Sequence, residues 1–173
     1  MASETSERGL RLLGVTAGDT VFVDGDSGGV GAVAVQMAIA SASEANQDFL
    51  REIGAVPVRY GEGVAGRVRA AAGGRVDAAF DVADKTPVQE LISLVSEPSQ
   101  VLSIADFAAS QAGARVTGAA PDSRPMQALA EVAELLAQNK LVIKVQTFPF
   151  DRAAEAYRIL QDGRVRGKLV LIP

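Results

Sequence analysis

Gly25, Gly28 and Gly31 recur at three-residue intervals directly after "TVFVD" (20–24), a short β-branched run. They open "GGVGAVAVQMAIA" (28–40), which has the small residues and the length of a helix packed tightly on a sheet. A strand-to-helix turn is the setting that raises a glycine pattern above chance. Residues without Cβ let the backbone turn sharply and approach a pyrophosphate, while amides at a helix start point at the anion. Close approach of strand and helix alone would also ask for glycine here. Both readings commit the chain to β-α alternation.

The alternation continues. "QDFLREIGA" (47–55) places Phe49, Leu50 and Ile53 on one helical face with Gly54 as its stop, and "VPVRY" (56–60) follows as a strand. "GVAGRVRAAAGG" (63–74) reads as a helix closed by paired glycines, "VDAAFDVA" (76–83) as a strand and "PVQELISLV" (87–95) as a helix. "QVLSIADF" (100–107) and "ARVTGA" (114–119) read as strands. After the loop "APDSRP", residues 126–139 give a long amphipathic helix with Asn139 as its stop. "KLVIKVQTFPF", "DRAAEAYRILQDG" and "GKLVLIP" then form strand, helix and strand, with Asp151 a good N-cap. The expectation is an α/β fold, a parallel sheet covered on both faces, three layers in all. A length of 173 residues suits one domain.

Composition removes several chemistries. The chain has no cysteine and no histidine, so it lacks disulfides, thiolate metal sites, a cysteine nucleophile, the usual zinc ligand and the usual general base. A zinc site would need carboxylates alone and is rejected. Net charge is −4 with scattered arginines and few aromatics, which argues against nucleic acid as a partner. No run approaches the roughly 20 apolar residues of a membrane helix. The polar start "MASETSERGL" has no apolar leader core, and a cytoplasmic location is expected.

The segments "GLRLLGVTAGDTVFV", "SGGVGAVAVQMA", "SEANQDFLREIGA", "VDAAFDVA" and "FPFDRAAEAYRILQDGRVRGKLVLIP" stand in the order of one family. Together they resemble the cofactor domain of the medium-chain dehydrogenase/reductase superfamily, with the zinc-free quinone oxidoreductase branch the nearest likeness. "SGGVG" and the G-K-x-V-L run are its more specific elements. The resemblance implies a Rossmann-type doubly wound sheet, an NADPH cofactor with NADH as the other choice, and hydride transfer to a quinone or an α,β-unsaturated carbonyl. Carried over by position, Gly25, Ser27, Gly28, Gly29, Val30 and Gly31 would face the pyrophosphate. Ser43, Asn46 and Tyr60 would face the adenosine end, and Val82, Ala83 and Ile104, with Asp106 beside them, the nicotinamide. No catalytic acid or base is assigned. Asp81 and Asp106 read as turn or cap residues. A short-chain dehydrogenase would show lysine four residues after a tyrosine, but Tyr60 leads to Val64 and Tyr157 to Gln161. A P-loop would need lysine and Ser/Thr after its last glycine, where Ala32 and Val33 stand.

Departures from the family are equally informative. The family carries a catalytic domain ahead of its cofactor domain, so residues 1–173 are expected to form a single nucleotide-binding domain without it. Residues 141–173 would be the return segment, with Val142, Ile143, Phe148 and Phe150 exposed or used in homodimer contacts. A helix of about three turns uses essentially all residues between Gly31 and Ser43, so the second Rossmann strand is expected to be missing. Either a deletion or residues left out of the sequence would account for that, and continuous numbering favours deletion. Asp24 stands where the family usually has a neutral or histidine residue and Asp26 where it has alanine, and both would repel a pyrophosphate by about 1 kcal/mol each unless protonated or turned away. Asp26 would otherwise cap the helix or turn. Asn46 stands where the family has a phosphate-binding lysine, for which Arg59 could compensate if it is not simply solvated. Glu44 could accept from ribose hydroxyls, or serve as a helix N-terminal acid. Two rivals follow: a cofactor-free Rossmann shell used for binding or scaffolding, and one chain of a split enzyme.

Overall fold

In the computed structural model, residues 2–25, 30, 34, 39–42, 46–52, 54–118, 125–139, 141–162, 165 and 167–173 are described. The β-branched and aromatic runs become strands β1 (Val21–Asp24), β3 (Val56–Arg59), β4 (Ala78–Asp81), β5 (Val101–Ser103) and β6 (Arg115–Val116). A further strand, β2 (Ile39–Ala42), lies between β1 and β3 and completes a six-stranded sheet of order β3-β2-β1-β4-β5-β6. Every neighbouring pair is parallel. This is the doubly wound Rossmann-type order.

The expectation of a missing second strand is therefore corrected. Ile39–Ala42, read from sequence as the end of the glycine-turn helix, pairs Phe22 with Ile39 and Asp24 with Ser41 on one side and Ile39 with Val56 on the other. "IASA" has little intrinsic strand preference. Tertiary pairing decides its state, because backbone groups between two strands have ladder partners on both edges. Residues 25–38 connect β1 to β2, above the dozen or so that a parallel crossover needs.

Six helices are described: α1 (Ala2–Leu13), α2 (Gln47–Glu52), α3 (Val64–Ala71), α4 (Val88–Ile92), α5 (Pro125–Ala137) and α6 (Ala153–Gln161). Strand side chains alternate between two cores. Val21, Val23, Phe80 and Leu102 join Phe49 and Leu50 of α2 on one face, with Leu10 and Leu13 of α1 against them. Phe22, Ala79 and Val101 join Val64, Val68 and Leu91 on the other. These are the three expected layers. Asn139 stops α5 as expected, adopting φ 53° where an L-residue other than asparagine is rarely found.

Gly9 of α1 lies against the Phe80 ring, where an added Cβ would sit 2.4 Å from Cζ. Gly9→Ala should therefore destabilise the fold. Overpacking costs about 1–3 kcal/mol, more than the helix propensity gain of up to about 1 kcal/mol. Thermal unfolding should show Tm lower by a few degrees, and a rise would refute this account.

The tail forms a separate unit in which β7 (Val145–Pro149) and β8 (Lys168–Ile172) pair in parallel, joined through α6. Lys144 ties it to α2, with Nζ 2.6 Å from Glu52 Oε2 and 4.7 Å from the Phe49 ring centroid. Two expectations need correction. Phe148 is buried, because the Arg152 guanidinium covers its ring at 5.6 Å, whereas Val142 and Phe150 are exposed as expected. Asp151 does not cap α6: it sits inside the 3-10 turn Phe150–Arg152, and Arg152 occupies the cap position and pairs with Glu155.

Candidate functional site

Strand order reverses between β1 and β4, the switch point at whose carboxyl ends doubly wound sheets form their ligand crevice. Gly25, the first residue beyond β1, has φ 92° and lies so close to the β4 loop that a Cβ would fall 2.1 Å from that of Ala83. Only glycine meets both conditions. The adjacent loops leave at matching heights: Val82 N donates to Asp24 O at 3.0 Å, Ile104 N to Asp81 O at 3.0 Å and Thr117 N to Ser103 O at 3.1 Å. Gly25, Val82, Ala83 and Ile104 are thus brought together, with Val82 and Ile104 half-buried against the core.

Beneath these loops runs a row of side chains in one register, Ser41–Asp24–Asp81–Ser103, contributed by β2, β1, β4 and β5. All are buried, at 2%, 0%, 2% and 1% exposure. Asp24 Oδ1 accepts from Ser41 Oγ at 2.5 Å, and Oδ2 accepts from the Thr86 amide at 2.9 Å and the Lys85 amide at 3.3 Å. Asp81 Oδ1 accepts from the amides of Ala83 (3.1 Å) and Asp84 (2.8 Å), and Oδ2 from Ser103 Oγ at 2.5 Å. Ser103 Oγ in turn accepts from the Ala105 and Asp106 amides at 3.1 and 2.8 Å. Each strand-end side chain ties down the amides of a crevice loop, which fixes loops that would otherwise carry unpaired donors. Asp106 caps the turn Phe107–Ala112 through the Ala108 amide at 2.8 Å.

Asp24 is therefore turned into the β4 loop. Burial pushes its carboxyl above the ordinary carboxylate value, the Ser41 hydroxyl opposes that shift, and the neighbouring Asp81 adds to it. Ser41 and Ser103 carry no sequence signal beyond being small polar residues at strand ends, and sequence reasoning passed over both.

On the other side of β1, Tyr60 is half-exposed just past β3, and Asn46 is buried just ahead of α2. The loop carrying Tyr60 is held by Arg67, whose guanidinium donates to the carbonyls of Arg59 (2.9 Å), Glu62 (2.9 Å) and Gly61 (3.0 Å). Val30 is half-buried, and its carbonyl accepts from Ser6 Oγ at 2.7 Å. Asp26, Ser27, Gly28, Gly29, Gly31, Ser43 and Glu44 lie outside the described residues.

Strand order, switch-point turn and tied loops define a Rossmann-type doubly wound domain of the medium-chain dehydrogenase/reductase superfamily. Within it, the chain belongs to the zinc-binding dehydrogenase family, whose sequence model matches residues 4–171. Among solved structures it is similar to the quinone oxidoreductase from Coxiella burnetii, with TM-score 0.80, 26% identity, and coverage of 99% of this chain and 58% of that one. An NAD-dependent alcohol dehydrogenase gives TM-score 0.82, 25% identity and coverage of 99% and 56%. A mycobacterial protein complexed with NADPH shares the fold, with TM-score 0.79, 23% identity and coverage of 100% and 64%. The chain spans about three fifths of the length of these solved relatives. No curated protein matches it by sequence. Zinc, which the family name implies, has no ligand set here. The chain contains neither cysteine nor histidine, and no three acidic residues gather around a common point among the described residues.

Proposed function

We propose that this chain is the NAD(P)H-binding domain of a cytoplasmic oxidoreductase, holding NADPH for hydride transfer to a quinone or an α,β-unsaturated carbonyl. The observation that carries this reading is the switch point, where Gly25 takes a left-handed conformation against Ala83 directly after β1. Membership of a dehydrogenase family and likeness to a quinone oxidoreductase support it. In this reading Gly25 and residues 27–31 hold the pyrophosphate, and Ser43, Asn46 and Tyr60 hold the adenosine end. Val82, Ala83 and Ile104 seat the nicotinamide, and the half-buried Val82 and Ile104 side chains keep water from it. The dinucleotide supplies the hydride, and the chain binds, orients and shields.

The presence of β2 bears on cofactor choice. Ser43 and Glu44 follow β2 directly, which is where a Rossmann fold reads the ribose, so the short spacing from the glycines reflects a short crossover. Ser43 and Tyr60 favour a 2′-phosphate and hence NADPH, while Glu44 is the feature that would favour NADH. The substrate side of the pocket falls to the part of the relatives beyond the matched region, toward which exposed Val142, Val145 and Phe150 would be directed; self-association through these residues is the other use open to them.

Titration of NADPH and NADH with the chain, followed by cofactor fluorescence, tests this, and the absence of tryptophan keeps the signal clean. Saturable binding, tighter for NADPH, is expected. No binding of either up to about 1 mM, a free energy of only about −4 kcal/mol, would leave the cofactor-free shell as the better reading.

A further inference from the structure

Asp24 places a carboxyl group one residue ahead of the turn to which the proposed ligand would bring its pyrophosphate charge. Its side chain is wholly buried, and the register sets Asp24 opposite Asp81 at neighbouring strand ends. The groups around it offer no compensating cation among the described residues. From β2 it meets the neutral Ser41, and from β4 the acidic Asp81. From the β4 loop it meets the backbone amides of Lys85 and Thr86, with the Asp84 and Lys85 side chains exposed. The buried Arg8 of α1 is committed to Glu4 and Thr117. Asp24 is also the residue immediately before Gly25, where the pyrophosphate turn begins.

We infer that Asp24 takes up a proton when the dinucleotide binds, so that the affinity of the crevice for its cofactor falls as the pH rises. This inference rests on the cofactor reading given above.

The hydrogen bonds already accommodate that proton. Placed on Oδ1 it points at Ser41 Oγ, while Oδ2 goes on accepting from the Lys85 and Thr86 amides. Ser41 Oγ also accepts from the Gly25 amide at 3.3 Å, which links the proton to the first residue of the turn. The proton comes from solvent, no other covalent bond changes, and the Ser41–Asp24 hydrogen bond reverses direction as the Ser41 hydroxyl proton turns away. Burial has already moved the Asp24 carboxyl upward in the free protein, and an added phosphate charge moves it further the same way. The sign is that of a raised acid. Stability from protonated Asp24 is complete below the unfolded-state value of about 4, and is lost as pH climbs through the raised folded-state value. Binding follows the same direction. One proton taken up weakens affinity by at most about tenfold per pH unit.

Asp24→Asn mimics the protonated form, since its amide can donate to Ser41 while its carbonyl accepts from the loop amides. Dissociation constants for NADH and NADPH measured from pH 5.5 to 8.5 should weaken with pH in the native chain relative to the variant. The two proteins should converge at the acidic end, and the variant should bind at least several-fold tighter at the alkaline end. Taking the ratio of the two proteins removes the nucleotide's own titration. On the native chain alone, calorimetry of NADH binding in buffers of different ionisation enthalpy should show net proton uptake over the pH range in which the native affinity falls, a readout that stands even if the variant does not fold. Binding with parallel profiles or zero proton uptake overturns the inference and leaves the cofactor reading intact. Failure to bind either nucleotide at any pH sinks both.

Discussion

Replacing Gly25 with alanine is expected to lower Tm by about 4–20 °C and to weaken nucleotide binding at least tenfold. Two penalties add. A left-handed φ of 92° costs an L-residue about 1–2 kcal/mol, and the new Cβ would stand 2.1 Å from the Ala83 Cβ. Either the turn or the β4 loop must move, at a cost of about 1–3 kcal/mol. At about 2–4 °C per kcal/mol for a chain of this size, the sum gives the stated range. Adding Ala83→Gly should recover the steric part and leave the conformational part, so the double variant should fall between the single variant and the native chain. Thermal unfolding followed by circular dichroism, together with the cofactor titration, measures both effects. A Gly25→Ala chain with native Tm would show that the turn relaxes freely and is no rigid cradle.

Arg8→Ala should cost about 3–5 kcal/mol, a large share of the 5–15 kcal/mol that holds a typical domain together. Arg8 is buried in α1, with Nε 2.7 Å from Glu4 Oε1 and Nη1 donating to Thr117 Oγ1 just past β6. Truncation removes the guanidinium from beside the Glu4 carboxylate and the tie from α1 to Thr117, leaving the Arg115 bond to the Leu12 carbonyl to hold α1 at that end of the sheet. Because the Thr117 amide donates to the Ser103 carbonyl, the loss reaches the row beneath the crevice. Replacing both partners, as Glu4→Gln with Arg8→Met, should cost less than Arg8→Ala alone, since no charge is left unpaired. Urea unfolding of the three variants decides the matter. A loss below about 1 kcal/mol for Arg8→Ala would show that the pair behaves as a surface ion pair.

The parts of the fold visible in sequence are those where local preference and tertiary position agree. "TVFV", "VPVR" and "AAFD" put β-branched or aromatic residues where strands form, and paired glycines or Asn139 end helices where the chain turns. β2 escaped because alanine and serine suit a helix as well as a strand. Its state is fixed by Phe22 and Val56 on either side, residues distant in sequence. Phe148 was misjudged for the same reason, its cover being the Arg152 side chain and not a neighbouring apolar run. At the crevice, Gly25 and the β4 and β5 loop residues could be placed by motif and order. Asp24 was seen as an unwelcome charge, and its actual engagements with Ser41 and two amides more than 60 residues away depend on strands coming side by side. Polar side chains at strand ends are ambiguous until their neighbours are known.

The fourteen residues from 25 to 38 act as a tether whose ends are held at adjacent strands. Gly25 at its start has its place set by Ala83, and Ile39 at its end is held in register against Phe22. A slide of β2 along β1 by a residue pair, about 6–7 Å, would break the hydrogen bonds that Ser41 makes to Asp24 and to the Gly25 amide. The side chain that holds the register of this seam is thus the one that steadies the turn. The two halves of the proposed nucleotide site, the turn after β1 and the loop after β2, are coupled through one serine.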